Sequence, residues 1–260
     1  MTSVSTKSYE TQTTSPFIDP NASPLIVHCC HHKVATVWFL RILEAIANHY
    51  SLKFQRCKQD ALQTDSDIFL QDHSEVDVSK LPAHRGSHII RDPRDVIISG
   101  YFFHLWTPEK WVHKPNKKYN GMSYQQYLNS LDLEAGIIAE MERFAVKDFK
   151  GMIRWNYNLP EFIEIKYEEL IQNQQDIFTK IFTHYGFNRE AIDASLEIVE
   201  QFSFKNVSKR SVGDVKKQTH LRSGQPGEWK DIFSEQHKHK FKELFGDGLI
   251  ALGYETDNDW

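Results

Sequence analysis

Arg91 and Ser99 stand eight positions apart in the stretch His88-Ile89-Ile90-Arg91-Asp92-Pro93-Arg94-Asp95-Val96-Ile97-Ile98-Ser99-Gly100. A planar guanidinium is built to grip a phosphate with two donors, and a hydroxyl two helical turns away can add a third. A second set of anion-binding groups lies in His31-His32-Lys33-Val34-Ala35-Thr36, where a lysine, a threonine and backbone N–H groups meet at the mouth of a helix. His73 is a candidate proton acceptor, because imidazole has an unperturbed pKa of about 6.5. Asp72 is its close competitor. Neighbouring side chains at a strand end diverge, so only one of the two should face a substrate.

The elements that must position these groups follow from local pattern. Ile89 and Ile90 suit a buried strand. Asp92 is a good N-cap, Pro93 fits the first helical position, and Asp95 can close the cap in the manner of a capping box. Arg91 is then left at the carboxyl end of a strand, where open α/β sheets bind ligands, and Gly100 lets something approach closely. Pro24 opens the apolar run Leu25-Ile26-Val27-His28-Cys29-Cys30, and Val37 to Ala47 has helical spacing. Two readings compete for His28 to His32: a cluster of soft-metal ligands, or a modified phosphate loop that lacks the usual glycines.

Further strands are expected at Leu52–Cys57, Asp67–Ser74 and Pro160–Leu170. Ser123 should cap a helix through Leu131, and Asp132 should start a long helix reaching Trp155. Helices are expected over Gln172–Tyr185, Arg189–Glu200 and Ser234–Phe245. The aromatic stretch from Leu105 to Gly121 is long for a connection, and such loops often carry specificity. The basic run Lys205–Lys217 reads as a solvated face. Met1 to Ser23 is rich in Ser and Thr and reads as a flexible tail before one domain over 24–260.

Composition excludes several classes. The 260 residues allow one large core, and 40% apolar with 25% charged residues is ordinary for a globular protein. A formal net charge of −4 argues against binding a nucleic acid polymer. No run reaches the length of a transmembrane segment, and the polar start does not read as a signal peptide. Cys29, Cys30 and Cys57 are too few and too clustered for a disulfide framework, so a reduced, cytoplasmic compartment is expected.

The segment from Arg91 through Ser99 to Tyr101-Phe102-Phe103-His104 resembles the 3′-phosphate motif of sulfotransferases that use 3′-phosphoadenosine 5′-phosphosulfate (PAPS). Lys33, Thr36 and Trp38 are in register with that family's 5′-phosphosulfate loop, Lys-Ser-Gly-Thr-Thr-Trp, from which Val34, Ala35 and Val37 depart. Tyr167 falls where the family has Tyr-Glu-Asp-Leu at a strand end. Phe202-Ser203-Phe204-Lys205 resembles the family's Thr-Ser-Phe-Lys segment beside the adenine. Leu221 to Lys230 resembles Arg-Lys-Gly-x-x-Gly-Asp-Trp-Lys, in which Arg222 and Gly224 match and Ser223 replaces a basic residue.

The resemblance covers Pro24 to about Tyr254 and implies a single-domain α/β fold, a parallel β-sheet flanked by helices, related to phosphate-loop nucleotide kinases. It implies sulfuryl transfer from PAPS to an acceptor hydroxyl or amine, without a metal. The implied donor site is Lys33, Val34, Ala35, Thr36, Val37, Trp38, Arg91, Ser99, Tyr167, Ser203, Phe204, Arg222, Ser223 and Gly224. Lys33 would steady the phosphosulfate and His73 would take the acceptor's proton. The acceptor is open among a small molecule, a sugar and a lipid. The family's dimer signature is only partly present around Lys230 to His239, so no oligomeric state is assigned. Two rivals stay open: a small-molecule kinase on the same sheet, and a catalytically inactive nucleotide-binding relative.

Overall fold

The computed structural model describes residues 15–19, 23–216, 219 and 222–260. Most of the expected tail, and Lys217 and Leu221 from the two loop readings, lie outside the described residues. The described part of that tail is not loose. Phe17 is 4% exposed and packs edge-on against Phe187, and the Ile18 N–H donates to the Gly186 carbonyl. An aromatic ring removed from water outweighs the polar character of its neighbours.

Five strands form one parallel sheet: β1 (Leu25–Cys29), β2 (Phe54–Arg56), β3 (Ile68–Gln71), β4 (His84–Ile90) and β5 (Phe162–Lys166), in the order β2-β3-β1-β4-β5. Parallel strands need crossovers, and α-helices supply those from β1 to β2 and from β4 to β5. Those helices are α1 (Thr36–Tyr50), then α2 (Pro93–His104), α3 (Tyr124–Asn129), α4 (Leu133–Val146) and α5 (Asp148–Arg154); after the last strand come α6 (Tyr167–Gln172), α7 (Gln174–Tyr185), α8 (Arg189–Gln201), α9 (Phe204–Ser208), α10 (Trp229–Ile232), α11 (Glu235–Phe245) and α12 (Gly248–Ala251). The chain leaves β1 toward β2 on one side and leaves β4 toward β5 on the other. β1 and β4 are adjacent, so the topological switch point, where such sheets open a ligand crevice, lies between them.

Register sets what reaches that crevice. Cys29 lies opposite Gln71 on one side and His88 on the other, and Ile90 lies opposite Lys166. The residues just past these ends are therefore delivered to one edge: His31 to Ala35 after β1, His73 after β3, Arg91 after β4 and Tyr167 after β5.

Two sequence expectations need correction. The helix expected from Asp132 to Trp155 breaks at Lys147, whose backbone is not helical (φ −125°, ψ −62°). The break lets Asp148 turn back to Arg143 at 3.0 Å and sends Phe149 into the ring cluster of Phe144 and Phe245. Asp95 does not close a box with Asp92. Asp92 caps α2 by accepting from the Arg94 N–H at 2.9 Å, and Asp95 turns to the distant segment before α10, where two buried N–H groups solvate its carboxylate. By contrast, Ser123 and Ser234 each form full capping boxes, with Gln126 and His237.

Candidate active site

The loop after β1 is shaped by two left-handed residues, Lys33 (φ 63°) and Ala35 (φ 54°). Neither is glycine, and each such residue costs about 1–2 kcal/mol. Alternation of this kind turns successive N–H groups inward into an anion-binding nest. Ala35 is also the N-cap of α1 and offers no capping side chain, so the first N–H groups of this 15-residue helix face outward uncapped by it. The Thr36 hydroxyl closes the loop on itself, donating to the His31 carbonyl at 3.3 Å and accepting from the Cys30 thiol at 3.3 Å. Val34 is in the core and Val37 is exposed on the first turn. The Val34 N–H is spent inside the loop, donating to the His31 carbonyl at 3.0 Å, so of these two only Val37 has a backbone N–H to offer an anion.

The Lys33 ammonium sits 3.6 Å above the Phe103 ring centroid. Burial lowers its pKa to about 7, an effect that nearby Arg91 and Arg222 reinforce and that Glu109 and Glu140 oppose. Trp38 packs edge-on against Phe178, and its buried indole N–H has no partner among the described residues.

Arg91 is 7% exposed and lies over the Tyr167 ring at 4.6 Å. Its Nη2 donates to the Gln225 carbonyl at 3.2 Å and stands 3.6 Å from Asp95, while its buried Nε–H has no partner among the described residues. A buried guanidinium with an idle donor is a costly arrangement unless something fills it. The segment above Arg91 is fixed from three sides. The Tyr167 hydroxyl donates to the Gly224 carbonyl at 3.0 Å. Asp95 accepts from the Gly227 and Trp229 N–H groups at 2.7 and 3.0 Å. Gly224 has φ +70°, and a Cβ there would stand 2.8 Å from the Phe204 ring, so both the turn and the close approach require glycine.

Arg222 pairs with Glu228 and lies over the Phe102 ring at 4.4 Å. Ser203 is buried and caps α9, and the Ser223 hydroxyl accepts from the Gln225 N–H within its own turn. Ser99 is half-buried on α2. The close approach expected at Gly100 is to Glu140, whose carboxylate oxygen would be 2.6 Å from a Cβ there.

His73 lies two residues past β3, its N–H held by the Gln71 side chain at 2.8 Å. It lines a cleft of about 580 Å³ together with His31, Gly151 and Trp155. Asp72 is turned away to Arg56, whose Nε donates to it at 3.1 Å. Of the two candidate bases, His73 is therefore the one on the cleft.

The five-residue run His28 to His32 does not converge on one point. The His28 Nδ1 bonds the Ser87 hydroxyl at 2.7 Å, which bonds Tyr185 at 2.6 Å. The Nε2 of His31 meets the Nε2 of His88 at 2.9 Å, and Glu164 lies 2.6 Å behind. The Nε2 of His32 meets the Nε2 of His104 at 3.1 Å, backed by the fully buried Glu140 at 2.8 Å. Glu140 also accepts from Tyr124 at 2.6 Å and Arg143 at 2.8 Å, and those partners hold its carboxyl down at about 2 against the opposing effect of burial. Two carboxylate–imidazole–imidazole chains thus anchor the anion-binding loop. Sequence reasoning missed them; their only signal was polar residues in positions that had to be buried.

A family described as "Sulfotransferase domain" matches residues 28–253. Sulfotransferase 2A1 of Homo sapiens is 26% identical over 179 residues, covering 65% of this chain and 57% of the relative. Sulfotransferase 2A1 of Macaca fascicularis is 30% identical over 177 residues, with the same shares of each chain. The match thus spans little more than half the length of these curated relatives. Among solved structures, mouse sulfotransferase SULT7A1 complexed with PAP is similar with a TM-score of 0.60 at 16% identity, over 89% of this chain and 87% of that one. Retinol dehydratase in complex with androsterone and inactive cofactor PAP gives a TM-score of 0.56 at 14% identity, over 87% and 82%. These two likenesses are of fold.

Proposed function

Since the chain belongs to the sulfotransferase domain family, we propose that it transfers a sulfuryl group from PAPS to the hydroxyl or amine of a small-molecule, sugar or lipid acceptor. The observation that carries this reading is Arg91, buried at the sheet edge with an idle Nε–H and clamped beneath the Gly224–Gly227 segment. A 3′-phosphate is the group that such a guanidinium accepts, with Ser99 and Arg222 beside it. PAP, the product that would be left behind, is the ligand named for both solved neighbours.

The roles follow from position. Lys33 and the N–H groups of residues 35–37 receive the 5′-phosphosulfate and neutralise charge on the departing phosphate. The Trp38 indole and the Phe204 ring flank the adenine, with Ser203 and Tyr167 at its edge. In the transfer, the acceptor oxygen or nitrogen attacks sulfur. The sulfur–oxygen bond to the 5′-phosphate breaks, PAP leaves with that electron pair, and His73 takes the acceptor's proton. Fixed cations stand where a kinase would use Mg²⁺, so transfer should proceed with EDTA present. The compartment proposed is the cytoplasm, in keeping with three free cysteines.

The test is a screen of acceptors with sulfur-labelled PAPS, followed by His73→Ala on whichever acceptor is sulfated. A positioned base contributes about 10²–10⁴-fold, so turnover should fall by that order while PAP affinity holds. A variant keeping more than about a tenth of turnover against that expected loss would remove His73 from the role.

A further inference from the structure

The cleft beside His73 is lined by three carboxylates and three cations, and they are unequally paired. Each carboxylate has a cationic partner: Glu75 pairs with Lys147 at 3.0 Å, Asp77 with Lys80 at 2.8 Å, and Asp148 with Arg143 at 3.0 Å, a guanidinium it shares with Glu140. Two lining cations are left over. Lys150 and Arg154 have no carboxylate partner among the described residues. They stand four positions apart on α5, a spacing that places both on one helix face. These two side chains are the cations that the cleft's own pairs leave free for a ligand, and His73, the proposed base, lines the same cleft. Trp155 and Leu159 supply apolar wall on the same cleft.

We propose that the acceptor carries an anionic group as well as the group to be sulfated, and that Lys150 and Arg154 hold that anion while its apolar body lies along Trp155. This inference rests on the sulfotransferase reading. It deepens that reading by giving the acceptor a charge: a hydroxylated carboxylate, not a neutral steroid, is the chemistry the cleft complements.

Calorimetric titration of the PAP-loaded protein with two matched probes tests it: 4-hydroxyphenylacetate, which is anionic, and 4-hydroxyphenylacetamide, which is neutral. The anion should bind about tenfold tighter, the strength of two solvent-exposed ion pairs. That advantage should vanish in the double variant Lys150→Gln, Arg154→Gln, with PAP affinity unchanged. Equal or tighter binding of the amide, failure of both probes to bind at millimolar concentration, or an unchanged preference in the double variant would overturn the proposal. So would a loss of PAP affinity in that variant, because the cations would then serve the donor. If the wild-type protein does not bind PAP, the sulfotransferase reading fails, and the same two probes titrated into the unloaded protein still decide whether the cleft selects an anion.

Discussion

His31 and His88 meet ring to ring, Nε2 to Nε2 at 2.9 Å, across the β1–β4 boundary where the crevice opens. Two imidazoles can share that hydrogen bond only when one donates and the other accepts, so the two rings cannot both be cationic there. Burial goes further and keeps both rings neutral. It lowers His88 to about 3 and His31 well below its ordinary value, and each ring's charge would further oppose its neighbour's. The loop that would receive the phosphosulfate is thus pinned by neutral histidines.

Acid should therefore unfold this protein early. Below pH 6.5 the unfolded chain binds protons that His28 and His88, both lowered to about 3, cannot take while folded. Their stabilising contribution is complete above the unfolded pKa and is lost as pH falls from about 6.5 toward 3, by up to about 1.4 kcal/mol per pH unit for each ring. Urea titrations between pH 7.5 and 4.5 should show this slope, and His28→Gln should flatten it by one ring's share. A flat profile in the wild-type protein would contradict the buried neutral state.

Donor affinity should fall as pH rises above 7. Lys33, lowered to about 7 in the empty site, loses its charge there. A bound 5′-phosphate favours the ammonium and raises its pKa, so binding takes up a proton above pH 7, and the affinity for PAP declines by up to about tenfold per pH unit. Lys33→Arg should bind with little dependence between pH 7 and 9. Calorimetry in buffers of different ionisation enthalpy would read the proton uptake directly.

Asp95 should matter as much as a residue touching the ligand. It holds the Gly227 and Trp229 N–H groups, and so the segment over Arg91. Charge-assisted hydrogen bonds of this kind are worth about 1.5–3 kcal/mol, so Asp95→Ala should weaken PAP binding about ten- to a hundred-fold and make residues 222–229 open to protease. Unchanged PAP affinity would show that the Tyr167 and Arg91 contacts hold the segment without it.

What was legible in the sequence was local. The Asp92 cap with Pro93, the apolar runs of β1 and β3, and the Ser123 cap all declare themselves within a few residues. The resemblance pointed to Lys33, Arg91, Tyr167, Phe204, Arg222 and Gly224, and the fold links Arg91 to Tyr167, Tyr167 to Gly224 and Gly224 to Phe204 in one chain of contacts, with Arg222 in the same segment as Gly224. The break at Lys147 was not legible, because no glycine or proline marks it and apolar spacing runs on through Phe149; tertiary packing of that ring decides it. Nor were the histidine pairs, whose partners lie 57 and 72 positions apart and meet only once the β1–β4 register and the placement of α2 are set. The same holds for Phe17, whose partner Phe187 comes from the far side of the chain.

The central claim is that Arg91 is a 3′-phosphate site, and a calorimetric comparison of two nucleotides tests it most directly. The purified protein is titrated with PAP and with adenosine 5′-phosphosulfate, which lacks the 3′-phosphate, and the PAP titration is repeated on Arg91→Ala. A guanidinium–phosphate contact is worth about 1.5–3 kcal/mol, so PAP should lose about ten- to a hundred-fold in affinity in the variant, and adenosine 5′-phosphosulfate should bind the wild-type protein correspondingly more weakly. Equal affinity for the two nucleotides, or PAP binding indifferent to Arg91→Ala, would contradict the assignment.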